Sequence, residues 1–136
     1  MKTKIKTTLL FTVVFSLLAS VNIMAQSGEK VQKEKEAKVG VYYFHTNTRC
    51  VTCRTVESEA KADVKELFGD DVSFAAYNLD EPEVEAKGKE LGVNSQSLIV
   101  VKGDKRINLT NEGFMYARTN PEKFKEIIDK KVKPLL

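Results

Sequence analysis

The chain has 136 residues, 42% of them hydrophobic and 30% charged, which fits one domain with a single apolar core. Its formal charge is +3, from 22 basic and 19 acidic residues; three of the basic residues lie in residues 1–25, which hold no acid. The 22 basic residues less those three equal the 19 acidic ones, so residues 26–136 lack the basic surplus that nucleic-acid binding requires.

Lys2, Lys4 and Lys6 precede an apolar stretch from Leu9 to Val21, and Ile23-Met24-Ala25 ends on a small residue. This is a secretory signal pattern, with cleavage expected after Ala25. The alternative is an uncleaved anchor, but the run is short against the roughly 20 residues a membrane span needs. No cysteine lies near the cleavage point, so no lipid anchor is expected. The expected location is periplasmic or secreted, with no membrane attachment once the signal is removed. Residues 26–38 interleave lysines and glutamates with almost nothing apolar, which predicts a solvated linker. The folded domain is expected over 39–136.

Val39-Gly40-Val41-Tyr42-Tyr43-Phe44 is rich in β-branched and aromatic residues and predicts a buried strand. After it, Cys53, Val56, Ala60, Val64, Leu67 and Phe68 recur at helical spacing. Gly69-Asp70-Asp71 is a turn, and Val72–Tyr77 a second strand. Asp80-Glu81-Pro82-Glu83 starts a short helix that stops at Gly92. Leu98–Val101 is a buried strand, and Gly103-Asp104 turns it into a hairpin with Arg106–Leu109. Phe114-Met115-Tyr116 is expected in a loop, with Gly113 supplying a special backbone conformation. Asn120-Pro121 opens the last helix, whose apolar face is Phe124, Ile127, Ile128 and Leu135. The order is β-α-β-α-β-β-α, an α/β domain.

Both cysteines, Cys50 and Cys53, fall where the first strand ends and the first helix begins. A helix N-terminus favours an anion through its unpaired N–H groups and macrodipole. The thiolate is that anion, and it is the reactive form. Arg49 and Arg54 add positive charge on either side. Cys50 is therefore expected as the low-pKa nucleophile and Cys53, one turn further in, as the resolving thiol. A purely structural disulfide is the plainer alternative, though a loop this small restrains the unfolded chain little. A third reading is a soft metal or metalloid site for As(III), Cu(I) or Zn(II) on the two thiolates. His45, the only histidine, is the one imidazole able to assist such a site, or a proton shuttle. A strand-end side chain hydrogen-bonded to a loop is the simpler account of it.

The strand, Cys50-Val51-Thr52-Cys53 and the helix after it resemble the thioredoxin family, and the resemblance extends over roughly 39–133. It implies a thioredoxin-like fold, with a central mixed four-stranded sheet flanked by helices. It also implies a thiol–disulfide oxidoreductase or electron-transfer protein that acts as a monomer on a protein redox partner. The groove beside the attacking sulfur would then be formed by Gln96, Ser97, Gly113 and Phe114, with Ser97 placed to donate a hydrogen bond to the thiolate. The chain departs from thioredoxins in lacking tryptophan, in carrying Phe44 where they bury an acid, and in carrying Ser97 where they have a cis-proline. Tyr42-Tyr43-Phe44-His45, Arg49–Arg54 and Asn108–Arg118 are similar to small exported thioredoxin-like proteins labelled the ArsF family, or a nitrophenyl-compound nitroreductase subunit. No flavin fingerprint is present, and neither a cofactor nor a resident metal is expected. Asn108-Leu109-Thr110 also matches a glycosylation acceptor, a pattern common by chance.

Overall fold

The computed structural model describes residues 38–136; the segments expected as signal and linker, up to residue 37, lie outside the described residues. The elements are β1 (Val39–His45), α1 (Val51–Phe68), β2 (Val72–Asn78), α2 (Pro82–Leu91), β3 (Ser97–Lys102), β4 (Lys105–Asn108), α3 (Thr110–Tyr116) and α4 (Pro121–Val132). A short 3-10 turn, Lys133–Leu135, follows. The sheet order is β2-β1-β3-β4, with β1 parallel to β2 and antiparallel to β3. The expected mixed four-stranded sheet flanked by helices is what forms. Among the described residues no helix is long and apolar enough to cross a membrane.

β1 is paired on both edges, which suits its β-branched and aromatic content. Successive side chains of a strand point to opposite faces. Val39, Val41 and Tyr43 of β1 and Leu98 and Val100 of β3 therefore share one face, packed with Val56, Ala60 and Val64 of α1 and Phe124, Ile128 and Val132 of α4. Phe44 and Ile99 take the other face with Val84 and Leu91 of α2. Tyr43, Phe44 and Phe124 are fully buried. Burial of a large apolar side chain stabilises by about 1.5–3 kcal/mol, so the two faces together hold β1 in place from both sides.

Helix ends follow their local chemistry. Asn120 caps α4 by accepting from the Lys123 N–H, with Pro121 in the first turn. Gly92 ends α2 at φ 67, where L side chains are disfavoured. One expectation is corrected: Phe114, Met115 and Tyr116 lie in a helix, α3, and not in a loop. Gly113 sits inside that helix and is needed for closeness, not for an unusual backbone. A Cβ there would stand 3.0 Å from Val56 Cγ1 and 3.6 Å from the Phe124 ring.

Candidate redox site

The loop from β1 to α1 is tied to the end of β2. The Leu79 N–H donates to the His45 carbonyl at 2.7 Å, the Asn47 N–H to Asp80 Oδ2 at 2.6 Å, and Asn78 Nδ2 to Asn47 Oδ1 at 2.8 Å. These bonds fix where the chain delivers Cys50. Cys50 is the N-cap of α1, in an extended conformation, and its Sγ accepts the Cys53 N–H at 3.1 Å. An N-cap acceptor meets one of the orphan donors of the first turn. A sulfur in that position becomes a better acceptor when it carries negative charge. The first turn of α1 contains no carboxylate to oppose that charge.

Cys50 and Cys53 are joined as a disulfide, with their Cα atoms 5.1 Å apart. Cys50 is exposed, whereas Cys53 is only 4% exposed. Cys50 thus lies at the surface, whereas Cys53 is shielded by the core. That asymmetry is what an attacking thiol and a resolving thiol require.

The two arginines differ in surroundings. Arg49 forms an ion pair with Glu57, so much of its positive charge is matched by a carboxylate one turn beyond Cys53. Arg54 is exposed, and its Nη1 donates to the Arg49 carbonyl at 3.1 Å. Arg54 therefore braces the residue before Cys50 and is the less compensated of the two charges.

Strand parity separates Gln96 from Ser97. Ser97 pairs with Phe44 across β1 and β3, on the face that packs against α2, and its hydroxyl donates to the Ser95 carbonyl at 2.9 Å. The Ser97 hydroxyl proton is therefore directed to the backbone, not to a sulfur. Gln96, one residue earlier, lies on the α1 side. Its Oε1 is 3.5 Å from Cys53 Sγ, and its Nε2 donates to the Tyr43 hydroxyl at 2.7 Å. Tyr43 in turn donates to the Cys53 carbonyl at 2.9 Å. Burial pushes the Tyr43 pKa above its ordinary value, against smaller opposing effects from Gln96 and Arg49. Tyr43 was not singled out by sequence. Its odd position in β1, shared with Val39 and Val41, is the signal that directs it toward the helix carrying the cysteines.

His45 is half-buried, with Nδ1 3.1 Å from the Thr46 carbonyl and its ring beside Tyr43. Among the described residues no cluster of three or more His, Cys, Asp or Glu side chains is placed to hold a metal. Gly113 and Phe114 are positioned by α3, and Phe114 packs against the main core. The large apolar side chain that α3 leaves outward is Met115, which is 56% exposed; Val51, between the cysteines, is 56% exposed as well.

The element order, the strand order and the dithiol at the start of the helix after β1 are together the arrangement that the thioredoxin resemblance implies. The fold is thioredoxin-like. Solved structures similar to this chain include thioredoxin f2 of Chlamydomonas reinhardtii, at 17% identity over 72% of this chain and 82% of that one, with a TM-score of 0.49. Trxlp of Edwardsiella tarda matches at 18% identity over 68% and 82%, with a TM-score of 0.47. Fasciola hepatica thioredoxin matches at 24% identity over 75% and 88%, with a TM-score of 0.46. No protein-family model matches the chain, and no curated protein matches it. None of these likenesses bears on substrate or partner.

Proposed function

We propose that this protein is an exported thiol–disulfide oxidoreductase that exchanges two electrons with a protein partner through Cys50 and Cys53. The observation that carries the reading is the asymmetry of the pair. Cys50 is exposed and receives a helix N-terminal N–H, while Cys53 is buried behind it.

In the reducing direction, the Cys50 thiolate attacks one sulfur of a partner disulfide. The second partner sulfur leaves as a thiolate and a mixed disulfide forms. Cys53 then loses its proton and attacks Cys50 Sγ, which releases the first partner sulfur as a thiolate. The partner gains two electrons and the protein ends with the Cys50–Cys53 disulfide. The same steps in reverse deliver a disulfide to the partner.

Export, to the periplasm or outside the cell, rests on the pattern of the first 25 residues, and action as a monomer rests on the thioredoxin resemblance alone. The narrower likeness to the ArsF family rests on the motifs around Tyr42–Arg54 and Asn108–Arg118. The test is turnover of a protein disulfide such as insulin, with dithiothreitol as electron source. Wild type should turn over, Cys50→Ser should be inactive, and Cys53→Ser should accumulate a mixed disulfide that names the partner when trapped in the native host. Turnover surviving in Cys50→Ser would sink the proposal.

A further inference from the structure

Behind the disulfide, three contacts form one chain: Gln96 Oε1 to Cys53 Sγ, Gln96 Nε2 to Tyr43, and Tyr43 to the Cys53 carbonyl. The protons in this chain fix its direction. A tyrosine hydroxyl has one proton, and a carbonyl can only accept, so the Tyr43 proton is committed to Cys53. The Tyr43 oxygen is then available only as an acceptor, and the Gln96 group facing it must be the NH₂. Gln96 Oε1 is thereby turned to the sulfur. Tyr43 is fully buried, and burial keeps its hydroxyl protonated, so the arrangement persists across the physiological range. In the disulfide, Cys53 has no proton to give and the 3.5 Å approach is a contact only. On reduction Cys53 acquires an S–H that meets a ready acceptor.

We infer that Gln96, oriented by Tyr43, holds the proton of the reduced dithiol on Cys53, leaving the negative charge to Cys50. The inference rests on the redox reading above and deepens it by assigning which sulfur is kept neutral. Gln96 touches a reacting atom; Tyr43 is a positioning residue that acts through it. The amide is no base, so it does not remove the proton. When Cys53 attacks Cys50 Sγ, its proton passes to the partner thiolate freed in the first step, or to water. Until then the buried sulfur stays a thiol, and the mixed disulfide survives long enough for the partner to be committed.

The prediction is read on the full-length protein, chemically reduced, by titrating the cysteine ¹³Cβ resonances. Gln96→Glu places a stronger acceptor at the sulfur and should raise the Cys53 midpoint by about one pH unit, a tenfold gain in proton affinity. Tyr43→Phe frees the amide to rotate and offer N–H to the sulfur, which favours the thiolate. It should lower the Cys53 midpoint by about one unit, or tenfold. If Tyr43→Phe does not fold, Gln96→Met, which fills the space without a strong acceptor, should repeat the downward shift. The carboxylate's charge alone raises the Cys53 midpoint, so the downward shifts in Tyr43→Phe and Gln96→Met decide the inference, and a merely structural pair does not produce them. Shifts of the same sign, or an unmoved Cys53 midpoint in folded variants, would overturn the inference. The titration needs no partner, so it decides this point even if insulin turnover fails and the redox reading falls.

Discussion

Asp63 offers a test of the packing between α1 and α4. Its side chain is 6% exposed on the inner face of α1, and its Oδ2 has no hydrogen-bond partner. Glu59 and Glu66 on the same helix, and Lys125 and Glu122 on α4, face it. The Lys125 ammonium, the one cation in that group, donates instead to Glu66 at 2.5 Å. Burial first, and the Glu59 charge second, push the Asp63 pKa from 3.8 up to about 6. A carboxyl with a raised folded pKa binds its proton more tightly in the folded state. Its contribution to stability is complete below pH 3.8 and is lost as pH rises through about 6. The difference of about two pKa units, at about 1.4 kcal/mol each, amounts to about 3 kcal/mol. Asp63→Asn removes the titration while keeping the shape. Urea unfolding of both proteins from about pH 4 to about pH 7 should show the variant gaining on wild type by about 3 kcal/mol across that window. The amide's own donors add an offset that does not vary with pH. Parallel stability profiles for the two proteins would refute the reasoning, since they would mean that Asp63 titrates alike folded and unfolded.

Gly113→Ala should destabilise by about 1–3 kcal/mol in the same urea assay, because the added methyl group crowds Val56 Cγ1 at 3.0 Å. Met115→Asp should slow reaction with a protein disulfide several-fold and leave reaction with glutathione nearly unchanged, whereas Phe114→Ala should lower stability by about 2 kcal/mol, since its ring packs on the core. Equal losses toward both reagents in Met115→Asp would deny α3 a part in recognition. Intact-mass measurement of the protein from its native host should give a chain that begins at Gln26.

The strand, dithiol and helix of residues 39–68 were legible because two periods change over at the cysteines: β-branched and aromatic residues before them, and a helical repeat after. α3 was not legible. Thr110-Asn111-Glu112-Gly113 has the composition of a loop, and a glycine inside a helix is costly in isolation. What makes the helix is tertiary. The Leu109 N–H donates to Leu98, the Thr110 hydroxyl accepts the Leu98 N–H, and the missing Cβ of Gly113 admits Val56. The choice between Gln96 and Ser97 was hidden for a different reason. Leu98-Ile99-Val100-Val101 is apolar throughout, so no alternation marks which parity faces the cysteines. Asp63, by contrast, left a sign, lying three residues after Ala60 and next to Val64, within the apolar stripe of α1.

The Cys53 N–H that rests on Cys50 Sγ also links oxidant strength to folding. The contact strengthens when the sulfur becomes a thiolate, so it favours the reduced folded protein over the oxidised one. An unfolded Cys-Val-Thr-Cys segment has no such helix terminus. Around the thermodynamic cycle that joins these four states, the extra stability of the reduced fold must reappear as a more positive reduction potential, about 30 mV for each 1.4 kcal/mol. A helix cap thus serves as a voltage setting, and unfolding curves of the two redox forms report the same free energy as an electrode.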